Sequence, residues 1–302
     1  MLQKKKITFS LLLLVLMGAC TYPAKEHINL EEQAWIHGSE DCEQNSDPLI
    51  QVVKYDEDTW ILRQNKCTNY EAPFMFLFFG KNKALLMDTG ATREEDKFPL
   101  YQTVKSLIDA RQKEYATDLQ LVVAHTHAHG DHHAADAQFQ GKPATSVIGL
   151  QVEDIKSFFA IENWPENNAV YDLGDRALEI IPIPGHQKSS IAVYDPQSGI
   201  LLTGDTFYPG RLYVEDWSVF KESIRKLYDF TKKHEISYIL GNHIEMSLEP
   251  GKDYPIGTLY QPEEQKLPLY PEDLEELHKA LERLGDQPTR EIHDKFIIYP
   301  IK

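Results

Sequence analysis

The nine residues His125-Thr126-His127-Ala128-His129-Gly130-Asp131-His132-His133 hold five of the chain's twelve histidines beside an aspartate. Imidazole and carboxylate are the ligands of borderline, Lewis-acidic metals, zinc above all. One ion does not easily take His127, His129, Asp131 and His132 together at this spacing, whereas two neighbouring ions can share them. A solvated histidine tract that traps metal adventitiously is the alternative. The run Leu121-Val122-Val123-Ala124 directly before it is short and β-branched, the pattern of a buried strand delivering the cluster at its C-terminal end.

Other residues of the same types stand in the same position. Asp88, His186, Asp205 and His243 each sit just after an apolar run, and Gly185 and Gly204 directly precede two of them. In layered α/β proteins ligands gather at one end of a sheet, so residues this far apart in sequence can converge. Period-two patterning predicts hairpins from 49–55 with 59–64, 74–79 with 84–87, and 191–194 with 199–202. Helical periodicity predicts helices over about 98–113, 152–160, 217–233 and 271–284. Hairpins followed by strand-helix alternation occur twice, which suggests two similar halves packed sheet to sheet.

As an ordered set, Asp88, His127-x-His129-x-Asp131-His132, Gly185-His186, Gly204-Asp205 and His243 resemble the metallo-β-lactamase superfamily over roughly residues 48–245. The resemblance implies a four-layer αβ/βα sandwich of two mixed β-sheets flanked by helices, with a C-terminal extension from about 246 within a 48–302 domain. It implies two zinc ions per chain, with manganese or iron as alternatives. His127, His129 and His186 would hold the first, Asp131, His132 and His243 the second, with Asp205 and a hydroxide between them. Asp131 would also orient the nucleophile or move its proton. Asp88 would fix a loop or a ligand imidazole, unless it is simply a turn aspartate. His125 and His133 fall outside the register and are expected as neighbours or surface residues.

The N-terminus reads as a targeting segment. Lys4-Lys5-Lys6 precede an apolar run over 7–17, too short to span a bilayer, which needs about 20 residues. Leu16-Met17-Gly18-Ala19-Cys20 resembles a bacterial lipobox. That implies a signal peptide over 1–19, acylation of Cys20, and an exported chain held to a membrane through its lipid anchor alone. Residues 20–47 read as a tether and arm. Cys42 and Cys67, in an oxidising compartment, are expected to pair, with a thiolate metal site as the alternative. A formal net charge of −16 argues against nucleic acid as a partner and leaves a small molecule as the expected substrate.

Departures within the pattern bear on the reaction. Position 205 is Asp rather than Cys, which resembles the thioesterase, lactonase and phosphodiesterase branches more than the zinc β-lactamases. Pro184-Gly185-His186 and Leu202-Thr203-Gly204-Asp205-Thr206-Phe207 look like the glyoxalase-II type of hydrolase. Export sits poorly with a glutathione thioester as substrate. Tyr208, three residues after Asp205, matches a tyrosine of the lactonases, where a phenol can donate to the scissile carbonyl or leaving oxygen. An aromatic wall residue is the other reading. The expected function is therefore hydrolysis of an ester, lactone or related acyl bond, with β-lactam hydrolysis, phosphodiester hydrolysis, and zinc or ligand binding without turnover as alternatives.

Overall fold

The computed structural model describes residues 27–301, so the signal segment and Cys20 lie outside the described residues. The first sheet runs in sequence order through β1 (Ile50–Lys54), β2 (Thr59–Gln64), β3 (Phe74–Phe79), β4 (Lys83–Met87), β5 (Gln120–Ala124) and β6 (Thr145–Val147). Its first four strands pair antiparallel, and β4, β5 and β6 pair parallel. Helix α1 (Leu100–Tyr115) makes the crossover between β4 and β5. The short turns α2 (Gly130–His133) and α3 (Asp136–Phe139) follow β5, and α4 (Val152–Phe159) follows β6.

The second sheet has the order β12-β10-β9-β8-β7, from β7 (Ala169–Asp172), β8 (Ala177–Pro182), β9 (Ile191–Asp195), β10 (Ile200–Gly204) and β12 (Tyr238–Gly241). Only its β10–β12 pair is parallel. Between β10 and β12 lie β11 (Arg211–Val214) and α5 (Trp217–Thr231). Helix α6 (Pro271–Leu284) then leads to β13 (Glu291–Ile292) and β14 (Ile297–Pro300), and β11, β14 and β13 form a small third sheet.

Alternation along the strands accounts for the layering. Phe74, Phe76, Phe78, Leu85, Met87 and Val122 face Leu178, Ile180, Val193, Leu202 and Leu240 across the space between the two large sheets. The intervening residues Met75, Leu77, Leu86 and Val123 pack beneath α1 on Leu100, Val104 and Ile108. Ile181, Ala192, Leu201 and Ile239 pack beneath α5 and α6. Both faces of each sheet are therefore buried, which is why the central strands read as nearly continuous apolar runs. The result is the four-layer sandwich, with mixed strand direction in both sheets.

Three strands escape the sequence patterns. β7, β11 and β13 are two to four residues long, and β11 follows Pro209-Gly210 so closely that it resembles loop. The arm is also not a free tether from residue 27 onward. Leu30 and Trp35 are buried in the inter-sheet core, and Trp35 meets Phe74 edge-on at 4.9 Å. Cys42 and Cys67 form a disulfide that ties the arm to the loop after β2. Among the described residues no helix is long and apolar enough to cross a membrane.

Candidate metal centre

Each donor sits where a strand ends. Asp88 leaves β4 at φ 69°, a left-handed conformation that aspartate tolerates better than most residues. His186 and Asp205 depend on their preceding glycines. At Gly185, φ is 130° and a Cβ would stand 2.4 Å from Phe220 Cα, so a larger residue would push α5 off the loop. At Gly204, φ is 56°, the β10–β12 register shifts, and a Cβ would stand 2.8 Å from Thr126 Cβ. That bulge turns Asp205 toward the histidine loop of the other sheet.

The seven donors meet as two groups. In the first, His127 Nε2 lies 3.0 Å from His129 Nδ1 and 3.2 Å from His186 Nε2, and His186 Nε2 lies 3.1 Å from His129 Nδ1. In the second, His243 Nε2 lies 3.3 Å from both His132 Nε2 and Asp131 Oδ2, and His132 Nε2 is 3.5 Å from that oxygen. Asp205 Oδ2 stands between the groups. It is 3.4 and 3.5 Å from His132 and His243, and 3.9 and 4.0 Å from His127 and His186.

The outward nitrogens show which lone pairs face inward. His186 Nδ1 meets the Tyr213 carbonyl at 2.7 Å, and His243 Nδ1 meets the Glu71 carbonyl at 2.9 Å. A carbonyl only accepts, so both Nδ1 atoms carry a proton and donate. His132 Nδ1 faces the Asp88 carboxylate at 3.4 Å, and His129 Nε2 faces Glu215 at 3.3 Å. In the first group, the inward nitrogens of His127, His129 and His186 turn toward one another within 3.0–3.2 Å, and with His127 and His186 neutral they present bare lone pairs, an arrangement that a cation between them relieves. Asp205 Oδ1 is buried without a hydrogen-bond partner, which also suits a cation. A tetrahedron with bonds of about 2.0–2.1 Å to nitrogen has edges of about 3.3 Å, close to these separations. The donor set fits a pair of metal ions, and its nitrogen-rich first group suits zinc.

Electrostatics separate the two groups. Burial, reinforced by the neighbouring imidazoles His132 and His186, holds His127 well below the usual histidine range. Burial also lowers His186, although Asp205 opposes it. In the second group burial is outweighed by carboxylates. Asp205 and Asp131 hold His132 well above its ordinary value and push His243 up to about 9. Burial would raise Asp205 itself, but His243 and His132 hold it at about 2. Asp131 is likewise held low, by His132 and His243 against its own burial.

Asp88 is wholly buried and joins three strand ends. Its Oδ1 accepts from Thr126 N at 2.8 Å, and its Oδ2 accepts from Asn242 Nδ2 at 2.7 Å and Thr126 Oγ1 at 3.0 Å. Tyr208 is fully buried and does not present its hydroxyl to the centre. The phenol donates to the Arg211 carbonyl at 2.6 Å and lies 3.0 Å from Glu245 Oε2, while its ring stands edge-on to His243. His125 is buried and held by Asp136 at 2.9 Å, behind the donor loop. Sequence patterns do not reveal Glu215, Asn242 or the carbonyls of Glu71 and Tyr213. Adjacency to His243 is the one available signal for Asn242, and a backbone carbonyl leaves none.

Comparison with known proteins agrees with the geometry. The family model described as the metallo-beta-lactamase superfamily matches residues 71–292. A hydroxyacylglutathione hydrolase of Mesorhizobium japonicum is 32% identical over 105 residues, covering 34% of this chain and 41% of that protein. The acyl-coenzyme A thioesterase MBLAC2 of Homo sapiens is 28% identical over 172 residues, covering 47% of this chain and 60% of that protein. Each match thus spans less than two thirds of the relative. A solved metallo-β-lactamase from Erythrobacter litoralis aligns with a TM-score of 0.50 at 16% identity, covering 80% of this chain and 99% of its own, a likeness of fold alone. With its strand-end donors in the family's order and the family model spanning most of its length, this chain belongs to the metallo-β-lactamase superfamily.

Proposed function

We propose that this chain is a hydrolase that holds two zinc ions and cleaves an ester, thioester or lactone bond of a small acyl compound. The observation that carries the reading is Asp205 Oδ2, within 3.4–4.0 Å of four imidazole nitrogens drawn from both groups. His127, His129 and His186 would hold one ion, and Asp131, His132 and His243 the other, with Asp205 shared. When bound, such a pair supplies Lewis acidity and a nucleophile drawn from water at neutral pH. Similarity to a hydroxyacylglutathione hydrolase and an acyl-coenzyme A thioesterase supports acyl transfer to water as the reaction class.

The chain's own residues divide the remaining work. His129 and Asp131 have side chains 39% and 25% exposed, whereas the other five donors are nearly closed to solvent. Substrate therefore approaches over His129 and Asp131. Asp131, held ionised, is the carboxylate placed to take a proton on that face. Glu215 and the Tyr213 carbonyl fix the rings of His129 and His186, so the open face keeps its shape. The lipobox-like sequence ending in Cys20 supports an exported chain tethered to a membrane, and the formal net charge of −16 supports a small molecule rather than nucleic acid as its partner.

Purified protein is expected to carry close to two transition-metal ions per chain. It should hydrolyse members of a panel of aryl esters, thioesters and lactones, lose that activity to a chelator, and regain it with zinc. A folded protein that turns over the panel without metal would overturn the reading. Turnover confined to a phosphodiester or a chromogenic cephalosporin would replace it with one of the other hydrolase branches.

A further inference from the structure

Beside the metal centre lies a pocket that begins at Glu71 and Tyr213, the residues whose carbonyls hold His243 and His186. Its walls include Lys66, Tyr70, Arg211 and Gln261. Lys66 is 2% exposed, and its ammonium has one hydrogen-bond partner, the Tyr70 carbonyl at 3.1 Å. An ammonium has three donors, so two remain unmet. Among the described residues, no carboxylate lies within 4.0 Å of it.

The neighbouring cations are already neutralised. Arg63 forms a two-point pair with Glu264, including Nη2 to Oε2 at 2.7 Å. Arg211 donates to Glu245 and Asp253 at 2.6 Å each and to the Tyr254 carbonyl at 2.8 Å. Among the described residues Lys66 is thus the cation of this pocket with no carboxylate in direct contact, Glu264, Glu245 and Glu71 acting on it from farther away. Burial, and then Arg63, push its pKa down to about 8, which leaves it charged at neutral pH. Burial and Arg63 outweigh the carboxylates of Glu264, Glu245 and Glu71, so the buried charge is only partly compensated by the surrounding fold.

Its position is nonetheless firmly set. Cys67, the next residue, is disulfide-bonded to Cys42. Gly38 of the arm packs so closely that a Cβ there would stand 3.0 Å from Lys66 Cβ and 1.8 Å from the Leu259 carbonyl oxygen. Gln261, held through its backbone to the His37 carbonyl at 2.9 Å, brings a second unmet group, a buried Oε1 without a partner.

We infer that Lys66 binds a single carboxylate on the non-reacting end of the acyl substrate, with Gln261 accepting from an adjacent N–H or O–H. This deepens the hydrolase reading and rests on it. It names the substrate class as monoanionic acyl compounds whose carboxylate stands a short chain away from the scissile bond. Glu71 and Glu245 line the same pocket and disfavour a dianionic phosphate there.

The test compares two chromogenic esters of equal length, 4-nitrophenyl hexanoate and the mono-4-nitrophenyl ester of adipic acid, on zinc-loaded wild type and Lys66→Met. The variant keeps the side-chain length and removes the charge. It is expected to raise KM for the adipate half-ester about 10- to 100-fold while leaving kcat and the hexanoate parameters within about twofold. Equal effects on both esters, or none on either, would overturn the inference while leaving the hydrolase reading intact. Calorimetric titration with adipate itself gives a readout independent of turnover. Wild type should bind at least tenfold more tightly than Lys66→Met, and equal affinities would overturn the inference even if neither ester is cleaved. A melting temperature for Lys66→Met at or above that of wild type confirms that the comparison is between folded proteins.

Discussion

Asp88→Asn tests whether the centre is held from behind by a charge or only by shape. Asparagine tolerates the left-handed φ of 69°, so the backbone is a constant. The carboxylate accepts from Thr126 N, Thr126 Oγ1 and Asn242 Nδ2 and faces His132 Nδ1. An amide has one oxygen and one NH2. With its nitrogen toward Asn242 and His132 it sets donor against donor, and with its nitrogen toward Thr126 N it does the same there. Either orientation leaves at least one buried donor unmet, at about 1–3 kcal/mol, and weakens hydrogen bonds made to a charge. A stability loss of about 2–4 kcal/mol in metal-free protein follows. Loss of the carboxylate behind His132 should weaken the second metal about 10- to 100-fold and the first much less. Urea denaturation of metal-free protein and chelator-competition titration measure the two effects separately. An unchanged denaturation midpoint together with an unchanged two-step titration would show that Asp88 is only a turn residue.

Two further outcomes follow from the same geometry. In metal-free protein His132 and His243 are held above their ordinary value, His243 at about 9, so at pH 7 a cation entering the second group must displace their protons. Affinity there should rise with pH up to about 9 with release of about one to two protons, while His127 and His186, lowered by burial, release about none; equal release at both sites, measured by calorimetry in buffers of different ionisation heat, would refute this. Tyr208→Phe removes the hydroxyl from the Arg211 carbonyl and Glu245, and should cost about 1 kcal/mol of stability while leaving the ratio of lactone to aryl-ester turnover within about twofold. A tenfold selective loss of lactone turnover would assign the phenol a part in the reaction.

What could be read from the sequence follows from how each feature leaves its mark. The donors are legible because metal chemistry requires particular side chains, and each stands where an apolar strand stops. Layering is legible because Phe74 to Phe79 and Ile200 to Leu202 are apolar on both faces, which only a doubly covered sheet demands. The supports of the centre are harder to find. Glu71 and Tyr213 act through backbone carbonyls, which any residue has. β11, which carries Tyr213, gains its identity from pairing with β14, more than eighty residues later. Arg63 and Glu264 are 201 residues apart and look like ordinary surface charges until the C-terminal segment folds back over β2. Tyr208 shows the converse, a motif match whose neighbours Arg211 and Glu245 take up the atom the motif would have used.

Neither lobe contains a complete donor group. The loop after β5 contributes His127, His129, Asp131 and His132, whereas His186, Asp205 and His243 come from the strand ends of the second sheet. Each group needs donors from both, so the centre exists only when the inter-sheet core of Phe74, Phe76, Ile180 and Leu202 has formed. Docking of the sheets and metal affinity are then one equilibrium viewed from two sides. A ligand at one hundred times its Kd stabilises the state that binds it by about 2.7 kcal/mol. Asp88 is placed to couple the two lobes, since its carboxylate holds Thr126 of the first and Asn242 of the second, each next to a donor histidine. If Lys66 takes the substrate carboxylate as inferred above, the disulfide and the arm extend the same design to that side, because they hold Lys66 at the pocket wall it shares with Glu71 and Tyr213. On that reading recognition and chemistry share one frame, and a change in how the lobes dock should register in both metal affinity and adipate affinity.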